Sequence, residues 1–109
     1  MLPRHAVVTL TGKTQGLGDA GVLPEGLAEL PIVEAWFRPY DQTGHAIYVG
    51  AVKDGPVTAT NYGQHLDVDS QGTFLGFRLG PLSAGSFKLK DMQVFGTAED
   101  KLTILCLAW

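Results

Sequence analysis

The side chains that could do chemistry in this chain are few and far apart. Gly12-Lys13-Thr14 follows an apolar run and resembles the end of a phosphate-binding loop. That loop needs a glycine five residues before its second glycine, and Val7 stands there. It also needs a following helix, whose N-terminal amides help hold the phosphate. Gly16, Gly18 and Gly21 argue against one. Asp67-Val68-Asp69-Ser70-Gln71-Gly72 partly imitates a calcium loop. The first and third carboxylates and the glycine fit. Gln71 is a weak ligand, however, and Arg78 stands where a bidentate glutamate must close the loop. An Asx-rich turn is the better reading.

His5, His45 and His65 have no Cys or His partner at zinc-ligand spacing. A Ser-His-Asp triad can be assembled from distant residues, but the chain has no Gly-x-Ser-x-Gly elbow. Ser70, Ser83 and Ser86 fall in turn-like stretches. The single cysteine, Cys106, lies within the apolar run Leu102 to Leu107 and reads as a buried small side chain. Its neighbours supply no electropositive setting for a reactive thiol. The expectation is a chain that is not an enzyme and uses neither metal nor cofactor.

Aromatic side chains offer a different chemistry. A ring face matches the apolar face of a sugar, and sandwich-like β domains include lectins. Trp36, Tyr40, Tyr48, Tyr62 and Trp109 are the candidates. The plainer expectation is that Trp36 and Tyr48 pack within a hairpin and Trp109 docks on a neighbour, since aromatics are also enriched at interfaces.

These residues have to be positioned by short strands. Fourteen glycines and six prolines punctuate 109 residues, and the stretches between them are rich in Val, Ile, Phe, Leu and Thr. The strands expected are His5 to Leu10, Ile32 to Arg38, Ala46 to Gly50, Thr73 to Leu79, Ser86 to Lys90, Met92 to Phe95 and Lys101 to Ala108. The second and third should form a hairpin across the Pro39–Gly44 turn. Thr73 to Leu79 and Ser86 to Lys90 both alternate with period 2. The last strand is apolar on both faces, so it is either central in its sheet or buried at a subunit interface. The fold class expected is all-β: one domain over 1–109, an antiparallel β-sandwich or jelly-roll-like barrel of about seven or eight short strands.

Residues 11–31 form the irregular part, with at most a weak helical turn near Glu25 to Leu30. Leu17, Val22, Leu23, Leu27 and Leu30 make this loop more apolar than a free loop needs, so it is expected to touch a partner. Charged residues are only 17% of the chain, which also suggests a surface partly covered by other chains. The net charge is −3 and the basic residues are scattered, which speaks against nucleic acid and anionic membrane. Met1-Leu2-Pro3-Arg4-His5 leads into an apolar run too short for a targeting core, and no run reaches membrane-spanning length.

The order of elements in the second part carries a resemblance. Val33-Glu34-Ala35-Trp36-Phe37-Arg38-Pro39 is followed by a turn ending in Thr43-Gly44 and then by Ile47-Tyr48-Val49-Gly50. Asn61-Tyr62-Gly63 and Leu79-Gly80-Pro81-Leu82-Ser83-Ala84-Gly85-Ser86-Phe87 come next. The final segment is Leu89-Lys90-Asp91-Met92-Gln93-Val94-Phe95-Gly96-Thr97-Ala98-Glu99-Asp100-Lys101-Leu102-Thr103-Ile104-Leu105. This resembles small β-sandwich virion proteins of tailed bacteriophages, over about residues 32–108. Gln42 stands for the family's usual Asn, Ala84-Gly85 for Pro-Gly, and Glu99 for a glycine in the last turn. The resemblance implies a virion component made in the host cytoplasm, with no catalytic residue carried over. The expected role is a capsid decoration (cement) protein that binds the major capsid protein and bridges its subunits. It would self-associate through sheet edges, with closed symmetry such as a trimer to stop endless growth. On this expectation residues 11–31 touch the capsid, and deleting 14–28 abolishes particle binding with the fold intact. The alternative is a tail, baseplate or fibre module that binds host surface glycans.

Overall fold

Alternation of apolar and polar residues sets the sheets. In the computed structural model, which describes residues 2–40, 45–68, 74–81 and 86–108, strand β1 (Leu2–Thr9) buries Ala6 and Val8 and exposes His5, Val7 and Thr9. Strand β9 (Lys101–Ala108) buries Leu102, Ile104, Cys106 and Ala108. Between them in sequence come β2 (Gln15–Gly16), β3 (Ile32–Pro39), β4 (Ile47–Ala51), β5 (Gln64–Val68), β6 (Phe74–Leu75), β7 (Phe77–Leu79) and β8 (Met92–Phe95). One sheet has the order β1-β9-β3-β7 and the other β2-β8-β4-β5-β6, with antiparallel pairing throughout. The inner faces share one core that includes Val8, Ile32, Phe37, Ile47, Leu66, Val94 and Ile104. Phe77 stacks on Phe37 with ring centroids 4.9 Å apart. The chain is all-β and its two sheets are arranged as a β-sandwich.

The last two strands lie where the sequence places them, and β9 is central in its sheet, between β1 and β3. The expected hairpin between Ile32 to Arg38 and Ala46 to Gly50 does not form. β3 and β4 belong to different sheets. β3 has eight residues and pairs along β9 from Ile32 to Pro39, a length that the five-residue β4 cannot match. The expected strand Thr73 to Leu79 is broken at Gly76, where the chain passes from one sheet to the other. A Cβ at Gly76 would overlap the carbonyl oxygen of Phe37, so only glycine lets the backbones approach here. Ser86 to Lys90 keeps its alternation without being a strand. Phe87 exchanges backbone hydrogen bonds of 2.7 and 2.9 Å with Ile32, and Leu89–Asp91 forms a 3-10 turn.

The 11–31 loop differs most from expectation. Leu17 and Leu27 have no exposed surface and belong to the core, and Val22, Leu23 and Leu30 are half-buried against it. The loop is pinned at several points. The Leu17 N–H donates to the Met92 carbonyl at 2.9 Å, and Leu27 lies on a 3-10 turn opened by Gly26 at φ 82°. Glu29 pairs with Lys90 at 3.4 Å. The apolar content of the loop therefore serves this domain's own core. Leu17 and Leu27 are not surface contacts, and deleting 14–28 would remove both from the core.

Candidate binding surfaces

The strand register gives each sheet one outward face with a distinct character. On the four-stranded sheet, His5 lies opposite Leu105, Leu105 opposite Trp36, and Trp36 opposite Arg78. One row thus crosses all four strands. The next row sets Val7 beside Thr103 and Thr103 beside Arg38. Leu105 is 47% exposed and Val7 42%, while Trp36 and Leu107 are half-buried. Glu34 and Arg78 approach to 3.7 Å at one margin. The result is an apolar strip of Val7, Leu105 and Trp36 with charged side chains around it.

The other sheet carries an aromatic platform. Tyr48 lies opposite His65 on one side and Phe95 on the other. The Tyr48 ring sits 4.9 Å from that of Tyr62, 6.2 Å from His65 and 6.1 Å from Phe95. Tyr62 meets His65 edge-on at 5.7 Å and is itself exposed. Tyr48 and Phe95 also border a shallow hollow of about 430 Å³ with His45, Ala46 and Thr97. At its rim His45 Nδ1 lies 2.9 Å from Asp100 Oδ2. A third, strongly apolar cleft of about 480 Å³ opens between the sheets, lined by Val49, Phe77, Leu79, Phe87 and Met92.

The candidate aromatics are therefore divided. Trp36 faces outward from one sheet and Tyr62 from the other. Tyr40 is exposed and separate, with Lys101 Nζ 5.8 Å from its ring centre. Trp109 lies outside the described residues. Sequence spacing places neither His65 nor Phe95 beside Tyr48, because only the register of β5 and β8 against β4 brings them there.

Gly12-Lys13-Thr14 leads into strand β2 rather than a helix, and the Thr14 hydroxyl donates to the Val57 carbonyl at 2.6 Å. Most of the calcium-like segment, from Asp69 on, lies outside the described residues. Among the described residues, no group of three or more His, Cys, Asp or Glu side chains is placed to hold a metal. His45 lines the hollow and His65 does not. Cys106 is buried, and burial pushes its thiol above the ordinary range, an effect partly offset by Arg4. No helix among the described residues is long and apolar enough to cross a membrane. Comparison of the chain with protein-family models, curated proteins and solved structures gives no match.

Proposed function

We propose that the chain is a non-catalytic contact domain of a tailed-phage virion, a decoration protein seated on the major capsid protein. The observation that carries this reading is the outward face of β1, β9 and β3. A central strand normally exposes polar side chains on its solvent face, yet β9 presents Leu105 and Leu107 beside Trp36 and Val7. Apolar and aromatic residues at the centre with arginines at the rim match the anatomy of protein interfaces. The resemblance of residues 32–108 to phage virion proteins supplies the class of partner. A Leu105→Asp variant should fold normally and lose occupancy on particles. Quantitative mass spectrometry of purified virions should give a copy number that scales with capsid subunits. A copy number matching tail symmetry would reject the capsid role.

The aromatic platform favours a second reading, a tail or fibre module that binds host glycans. Two tyrosine rings beside an imidazole offer stacking surface and a polar group together. Tyr62→Ala should then abolish binding on a glycan array, whereas Trp36→Ala, on the opposite sheet, should not.

A further inference from the structure

Among the described residues, four strands end the two sheets, and only one of them is long. β7 has three residues, and β2 and β6 have two each, whereas β1 has eight. Among the described residues no strand pairs with the outer side of β1. The direction of its backbone groups follows from two hydrogen bonds. The Leu10 N–H donates to the Asp100 carbonyl at 2.8 Å, so Leu10 and, by alternation, Val8, Ala6, Arg4 and Leu2 turn their amides toward β9. The carbonyl of Thr9 instead accepts from the Gln15 side chain at 3.4 Å, so Thr9, Val7, His5 and Pro3 face the free edge.

We propose that this edge pairs with the β1 edge of a second copy across a two-fold axis through Ala6, setting His5 opposite Val7 of the other copy. The proposal deepens the reading of the chain as a contact domain. In this register each His5–Val7 pair exchanges two backbone hydrogen bonds, and each Thr9 N–H reaches the Pro3 carbonyl opposite. Pro3 has no N–H to give, and the Thr9 carbonyl facing it already accepts from Gln15. The two defects of the edge thus fall opposite each other, and no open group is left facing a proline. Shifting the pairing so that His5 meets His5 would set the open Val7 carbonyl against Pro3. Shifting it so that Val7 meets Val7 would make the His5 N–H share the Thr9 carbonyl with Gln15. Ala6 lies on the axis, where its small side chain permits close approach.

The test is sedimentation velocity of the purified full-length chain over a wide concentration range, with no particles present. A reversible monomer–dimer equilibrium is expected. Val7→Pro removes an N–H that β9 does not use, so the fold should persist by circular dichroism. Two symmetric hydrogen bonds are lost per dimer, so dimerisation should weaken by about thirtyfold. In a Cys106→Ala background, Ala6→Cys should form an intermolecular disulfide on mild oxidation, because facing residues of this pair type lie about 4.5 Å apart. A chain that stays monomeric, forms trimers, or dimerises equally well as Val7→Pro overturns the proposal. A dimer that fails to bind particles leaves it standing and rejects the decoration role alone.

Discussion

Leu27→Ala separates a core role for the 11–31 loop from a contact role. The Leu27 side chain has no exposed surface and sits under the core from a 3-10 turn. Removing three carbons forfeits about 2.4 kcal/mol of transfer free energy, at about 0.8 kcal/mol per carbon. The cavity adds to this, and the short turn can relax only so far, since backbone hydrogen bonds from Leu27 to Pro24 and from Leu30 to Leu27 fix it. A loss of about 3 kcal/mol follows, within the range for buried leucines. A domain of this size has a total stability of roughly 5–15 kcal/mol, so the loss is a large part of it. Urea unfolding followed by tryptophan fluorescence should show a lower midpoint with an unchanged slope. The thermal midpoint should fall by roughly 12–24 °C. Val22→Ala, at a half-buried site, should cost clearly less. A Leu27→Ala protein with wild-type stability and lost particle binding would refute this placement and restore the loop as a contact surface.

Three further perturbations follow from the backbone and the core. Glu99 adopts φ 75° in the turn before β9, so Glu99→Gly should stabilise the fold by about 1 kcal/mol in chemical denaturation. Gly76→Ala should destabilise it by at least about 2 kcal/mol, because the new Cβ meets the backbone of Phe37 and Arg38 rather than a mobile side chain. Burial raises the Cys106 thiol, so the unfolded chain releases its proton first as pH rises. Stability should therefore fall above the ordinary thiol value, by no more than about 1.4 kcal/mol per pH unit, and this part of the pH profile should vanish in Cys106→Ala.

Local patterns were legible and long-range pairing was not. Met92 to Phe95 and Lys101 to Ala108 could be read because alternation and the Gly96–Asp100 turn are local signals. The partners of β3 are not legible locally, because Pro39 and the turn after it signal a hairpin, whereas the pairing with β9 spans most of the chain. The same limit hid the aromatic platform. Tyr48 and Tyr62 are visible in the sequence, but nothing local says that His65 and Phe95 flank Tyr48. The loop leucines show the complementary error. Apolar residues among glycines have the same composition whether they meet a partner or fold back onto their own core, and only burial tells the two apart.

That last distinction also sharpens what β9 says about function. An apolar strand on both faces admitted two explanations, a central place in the sheet or a place at an interface. The structure supplies the first, since β9 lies between β1 and β3. Central position explains the backbone pairing and the buried face of Leu102, Ile104 and Cys106. It does not explain Leu105, which sits mid-strand on the opposite face and remains 47% exposed beside Trp36. A serine or lysine there would keep the same pairing at no cost to the core. The burden of the contact hypothesis therefore moves from the loop to this face, and with the β1 edge beside it the same strip would continue across a two-fold dimer as one surface.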